Sequence, residues 1–80
     1  MRLDKWLKVS RLIKRRTVAQ EACDGGHVSV NGRTAKPSTD VKEGDIVEIA
    51  FGSRTLRAEI LSVAEVVRKD DAAAMYREIR

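Results

Sequence analysis

Apolar residues recur at helical spacing from the start of the chain. Leu3, Trp6, Leu7 and Val9, with Lys5 and Lys8 between them, predict a short amphipathic helix. A second helix is signalled by Thr17, followed three residues later by Gln20 as a capping box, and then by Ala19, Ala22 and Cys23, with Val18 among them and Gly25-Gly26 as the stop. Leu12 to Arg16 joins the two. The period then changes: Val28-Ser29-Val30 alternates and runs into Asn31-Gly32, the dipeptide preferred in a type I′ turn, where both central residues need φ > 0. Residues 46–51 and 54–63 are rich in strand formers and meet at Gly52-Ser53. A two-residue turn there sets Phe51 against Arg54, Ile49 against Leu56, Val47 against Ala58 and Glu48 against Arg57, the last a favourable charged pair. Asp70-Asp71 ahead of Ala72 to Arg80 predicts a terminal helix, with acids at its start and Arg77 and Arg80 near its end, and with Met75, Tyr76 and Ile79 docked on the body or on a partner. The pattern amounts to an α+β unit: two N-terminal helices packed on a small twisted antiparallel sheet over residues 1–65, and a helical tail over 66–80.

Length bounds what such a unit can do. A chain of 80 residues removes only about 60 to 65% of its extended surface from water on folding, which leaves one modest core and no room for a large multi-substrate enzyme. At 42% hydrophobic and 35% charged residues it does not resemble a disordered chain. Apolar runs stop at three or four residues, so the sequence shows neither a membrane span nor a signal-peptide core, and a soluble, cytoplasmic protein is expected. The lone Cys23 suits a reducing compartment, and with a single His it cannot assemble a four-ligand zinc site, so no metal or other cofactor is expected.

The net charge of +4 hides an asymmetry. Residues 1–36 hold nine Lys/Arg against three Asp/Glu, a balance of +6, whereas residues 37–80 hold seven against nine. Arg2, Lys5, Lys8, Arg11, Lys14, Arg15 and Arg16 face only Asp4. Solvated helix faces usually mix signs at i, i+4 spacing; a one-signed run is the footprint of a protein that binds a polyanion. Lys14, Arg15 and Arg16 fall at the entrance of the second helix, where free N–H groups and the dipole add to their pull on a phosphate.

Arg16 is the strongest candidate contact, its fork able to take a phosphate bidentately, against the plainer reading of a surface pair with Glu21. Arg2 and Lys5 follow, with Asp4 between them as an orienting partner. Lys8, Lys14, Arg15 and Arg33 are candidate outer contacts. Thr17 and Gln20 stand evenly between RNA hydrogen bonding and helix capping, and Asn31 serves its turn while its amide can reach a ribose hydroxyl or base edge. Trp6 lies on the apolar stripe and reads as core rather than as a stacking platform. Cys23 and His27 are not read as nucleophile and base, because Gly25-Gly26 breaks the helix between them. The residues alone thus favour a non-enzymatic RNA-binding monomer, over a helix-turn-helix DNA regulator whose second helix would need a polar reading face, and over an adaptor docking on an acidic protein.

Arg2-Leu3-Asp4-Lys5-x-Leu7, Arg16, Ala19 and Gly26-His27-Val28-x-Val30-Asn31-Gly32 resemble the RNA-binding domain named after ribosomal protein S-four, over about the first fifty residues. The opening Met-Arg-Leu-Asp-Lys-Trp-Leu-Lys and the closing Met75-Tyr76-Arg77-Glu78-Ile79 make the chain similar to the RqcP family of ribosome-associated quality-control factors. The related heat-shock family shares the front end but carries a long basic tail. This resemblance implies the αL RNA-binding motif, with RNA on the helical face and hairpin. It also implies binding to large ribosomal subunits obstructed by peptidyl-tRNA, contact with ribosomal RNA and that tRNA, and assistance to an RqcH-type elongation factor in alanine tailing. The alternative it leaves is a generic heat-shock-type ribosome-binding protein. One departure is visible: where the wider family commonly has Ser then Arg at the second helix's entrance, this chain has Arg15-Arg16.

Overall fold

A computed structural model of the chain describes residues 1–65 and 68–79. Helix α1 spans Leu3–Val9 and α2 Arg16–Asp24. Strands β1 (Val28–Val30), β2 (Arg33–Thr34), β3 (Ile46–Phe51) and β4 (Arg54–Ile60) follow, then a 3₁₀ helix over Lys69–Met75 and strand β5 (Tyr76–Ile79). The strands form one antiparallel sheet in the order β2-β1-β3-β4-β5. Among the described residues no helix is long and apolar enough to cross a membrane.

The turns behave as their sequences require. Asn31 and Gly32 adopt φ of 53° and 83°, and Val30 pairs with Arg33 across the two-residue turn. In the β3–β4 hairpin Phe51 faces Arg54, Ile49 faces Leu56, Val47 faces Ala58 and Glu48 faces Arg57. At the end of α2, Gly26 N–H donates to Cys23 O and His27 N–H to Ala22 O, the paired bonds of a Schellman stop, with Gly26 at φ 78°.

The core lies between α1, α2 and one face of the sheet. Leu3, Trp6 and Leu7 from α1 and Ala19 and Cys23 from α2 meet Val28, Val47, Ile49 and Ile60 from the strands, all buried. Trp6 is wholly enclosed and its Nε1–H donates to Ser62 O at 2.9 Å, so it is a core residue.

The amides that open α1 find partners from the far side of the chain. Leu3 N–H donates to Thr39 O at 2.8 Å, Asp4 N–H to Pro37 O at 3.1 Å, and the terminal amino group to Asp40 Oδ1 at 2.8 Å. This seam fixes where Arg2 and Asp4 stand. At the other end of α1, Arg11 takes a left-handed φ of 63° and turns the chain toward α2.

The terminal helix expected over 72–80 is corrected. Its helical part is a 3₁₀ turn ending at Met75, and Tyr76–Ile79 is β5, pairing Ile60 with Tyr76 through Arg57 with Ile79; Arg80 lies outside the described residues. Without β5, β4 would present an open edge of unpaired N–H and C=O groups, and that long-range pairing outweighs the local helical charge pattern. Met75 is buried in the core, and the carbonyl of Met75 accepts Leu61 N–H and Ser62 N–H, so the strand expected over 54–63 ends at Ile60.

A guanidinium pair on a buried carboxylate: the candidate nucleic-acid interface

Arg2 stands just before α1 and Arg16 opens α2, and both reach Asp4, whose side chain is completely enclosed. Arg2 donates from Nε to Oδ1 and from Nη2 to Oδ2, each at 3.2 Å. Arg16 donates from Nη2 to Oδ1 at 3.4 Å, and its Nε sits 3.3 Å from Oδ2. Gln20, one turn along α2 from Arg16, donates from Nε2 to Oδ2 at 3.0 Å, and the Lys5 N–H donates to Oδ1 at 2.7 Å. Burial alone would raise this carboxyl's pKa; the donors from Gln20, Arg2, Arg16 and Lys5 more than offset it and hold the pKa at about 2.

The carboxylate acts as an anchor. Each guanidinium carries five N–H donors and turns only part of its fork toward Asp4. Arg2 and Arg16 remain 51% and 41% exposed, enough to offer the rest to a ligand. The Arg16 Nε is buried beside Oδ2 without a well-aligned hydrogen bond. Two side chains that would otherwise sample many rotamers are thereby fixed side by side.

The structure reassigns Gln20. With Arg15 extended at the N-cap, α2 begins at Arg16, no side chain caps it, and the expected Thr17–Gln20 capping box is absent. The reason is non-local: Asp4 draws the Gln20 amide away from the helix entrance. Arg16 likewise pairs with Asp4 rather than with Glu21. Thr17 is exposed on the first turn of α2. Lys5 lies 3.7 Å from Glu65, an open pair that contributes little to stability.

Among the described residues Lys8, Lys14, Arg15 and Arg33 are exposed and make no ion pair. Lys14 and Arg15 lead into Arg16, and Lys8 lies one turn beyond Lys5. Asn31 and Arg33 belong to the β1–β2 hairpin and make no hydrogen bond or ion pair with the Asp4 cluster. Both polar atoms of the Asn31 amide are engaged inside the protein: Nδ2 donates to Asp45 Oδ1 at 3.1 Å, and Oδ1 accepts Ile46 N–H at 2.9 Å. Lys36, which sequence reasoning missed, shares with Arg2, Thr34 and Ser38 the wall of a cleft of about 470 Å³ between α2 and the β2 edge. Its signal was present in the basic excess of residues 1–36 but carried no spacing that singled it out.

The S4 domain model matches residues 1–47, from α1 into β3. The chain is 57% identical over 76 residues to the RQC P-site tRNA stabilizing factor of Halalkalibacterium halodurans, covering 95% of this chain and 86% of that one. The chain belongs to the S4-domain family of RQC P-site tRNA stabilizing factors. The Bacillus subtilis member is 50% identical over 76 residues, covering 95% of this chain and 88% of its own length. The fold extends further still: the trimeric structure of heat shock protein 15 from Vibrio cholerae superposes with a TM-score of 0.91 at 35% identity, over 99% of this chain and 81% of that one. Family membership and geometry meet at the same residues, since Arg2, Asp4, Arg16 and Gln20 all lie within the matched segment.

Proposed function

We propose that this protein is a non-catalytic RNA-binding factor of ribosome-associated quality control. In this reading it binds, as a cytoplasmic monomer, large ribosomal subunits obstructed by peptidyl-tRNA, touches ribosomal RNA and the P-site tRNA, and supports alanine tailing by an RqcH-type elongation factor. The observation that carries it is the guanidinium pair on Asp4, flanked by Lys8, Lys14 and Arg15, which have no acid partner among the described residues, in a chain whose relatives are named as P-site tRNA stabilizing factors. Anchored forks and point charges recognise the ribose-phosphate backbone and its shape; they supply few base-edge contacts, so sequence readout is slight. Cys23 adds no nucleophile: burial, then the nearby charges of Asp4 and Asp24, push its thiol up to about 11.

Co-sedimentation with purified large subunits carrying peptidyl-tRNA tests the reading. Binding is expected for the unaltered protein, with a log-log salt slope of roughly −3 to −5 if it neutralises about four to six phosphates. Arg16→Lys keeps the charge while losing the fork and is expected to bind about tenfold more weakly. Equal binding to subunits stripped of tRNA, or a slope near zero, contradicts it.

A further inference from the structure

On the flank of α2 away from Gln20 lies an apolar groove of about 390 Å³, lined by Leu12, Ile13, Val18, Ala22 and Phe51 with His27. At 3.6 residues per turn, Val18 and Ala22 stand roughly 200° round the helix from Arg16 and Gln20, so a phosphate chain held at the Asp4 cluster leaves the groove open. Val18 and Phe51 are each 45% exposed, unusual for large apolar side chains that face one another across a concavity. Cations flank its lining in the chain and the sheet: Arg11 and Lys14, both exposed, adjoin Leu12 and Ile13 in sequence, and Arg54 pairs with Phe51 across the hairpin. None of the three makes an ion pair among the described residues; the acids nearby are Glu21, next to Ala22 in α2, and Glu78, which shares with Phe51 and Arg54 the wall of a neighbouring cleft.

We propose that this groove docks an acidic amphipathic helix of a partner protein, its apolar side chains seated between Val18 and Phe51 and its carboxylates facing Arg11, Lys14 and Arg54. The groove's chemistry favours a peptide over a nucleobase. His27 is the one side chain in the lining able to hydrogen-bond a base, so an inserted base would leave edge groups desolvated and unpaired, whereas Leu or Ile side chains lose nothing there. The surrounding charge disfavours a second copy of this basic chain and favours an acidic helix in the groove-binding mode. The apolar lining contains none of the residues around Asp4; Lys14 alone is shared with the RNA surface, and Phe51 and Arg54 distinguish the two ligands.

The test is a fluorescein-labelled helical peptide with Leu at i, i+3, i+4 and i+7 and Glu at its outward positions, titrated into the whole chain and followed by anisotropy and by backbone amide shifts. The expected result is saturable binding with shifts at Leu12, Val18, Ala22 and Phe51. Phe51→Asp, at an exposed position, is expected to weaken binding about tenfold without altering co-sedimentation with large subunits. Lys14→Glu with Arg54→Glu, which leaves the apolar lining intact, is expected to weaken it about threefold, and a Lys-for-Glu peptide should bind worst. Undiminished binding to Phe51→Asp, equal binding of the Lys peptide, shifts at Val18, Ala22 and Phe51 on adding an RNA oligonucleotide, or the same shifts appearing on self-association would each overturn the proposal.

Discussion

Replacing Asp4 by Asn removes one charge and no volume, and its effect can be worked from the contacts. The carboxylate accepts from Arg2, Arg16, Gln20 and the Lys5 amide. An Asn places an NH₂ where one oxygen stood, so donors face donors on that side and two guanidiniums lose their counter-charge. Breaking a fully buried pair costs about 3–5 kcal/mol, but Arg2 and Arg16 are 51% and 41% exposed and water screens part of it, which brings the figure to about 2 kcal/mol. The depression of this carboxyl from 3.8 to about 2 agrees in scale. For a domain of this size about 2 kcal/mol lowers the thermal midpoint by roughly 8–16 °C. RNA affinity should fall as well, although Asp4 itself touches no ligand, because two freed side chains must be ordered on binding at about 0.5–1.5 kcal/mol each, or about tenfold together. Thermal melts by circular dichroism and filter binding well below the midpoint separate the two effects. In an Arg2→Ala/Arg16→Ala background the Asn substitution should cost no further affinity, the non-additivity expected of groups acting as one unit. Full additivity, or unchanged affinity with a lowered midpoint, refutes the positioning role. The pH dependence has a definite sign. The folded pKa lies below the unfolded one, so the stability that Asp4 contributes is complete above about pH 4 and fades as pH falls toward 2; the gap between wild type and Asp4→Asn should narrow in that window.

Three further outcomes follow from the same geometry. Lys14→Ala and Arg15→Ala, exposed and without ion pairs among the described residues, should each flatten the log-log salt slope of RNA binding by about 0.7–0.9 and leave the thermal midpoint unmoved. Asn31→Ala should destabilise by about 1–3 kcal/mol in urea denaturation, since it strands Asp45 Oδ1 and the Ile46 amide and forces a left-handed φ on Ala, while RNA affinity in the cold stays within about twofold. Cys23, buried and with its thiol pushed up to about 11, should react with iodoacetamide at neutral pH only as fast as the protein opens; rapid labelling of the native state would contradict its place in the core.

The parts of this fold that local chemistry specifies were legible in the chain. Asn31-Gly32 dictated a type I′ hairpin, Gly25-Gly26 ended α2, and Gly52-Ser53 with the Glu48–Arg57 pair set the β3–β4 register residue for residue. What remained hidden depends on distant partners. The Thr17–Gln20 spacing satisfies a capping box, yet Gln20 is held by an acid on another helix. Residues 76–79 carry a helical charge pattern, yet the open edge of β4 recruits them as a strand, with Arg77 bonded to Glu59 at 2.6 Å. Arg11 in a left-handed conformation has no sequence signal at all. The candidate site divides the same way: the basic run was plain, and Asp4 could be named as an orienting acid, but that it gathers Arg2, Arg16 and Gln20 at one point required the packing of α1 on α2 and the seam at Thr39. The Asn31 amide, a candidate for reaching a ribose, is engaged by Asp45 and Ile46 in a contact the turn signature alone does not show.

Sequencing of the RNA crosslinked to the tagged protein in growing cells tests the central claim most directly. Large-subunit ribosomal RNA together with tRNA, lost in parallel when Arg2 and Arg16 are both changed to Ala, is the predicted result. Crosslinks spread over messenger RNA, or a tRNA signal that survives the double substitution, would contradict a guanidinium pair on Asp4 as the grip on the ribosome.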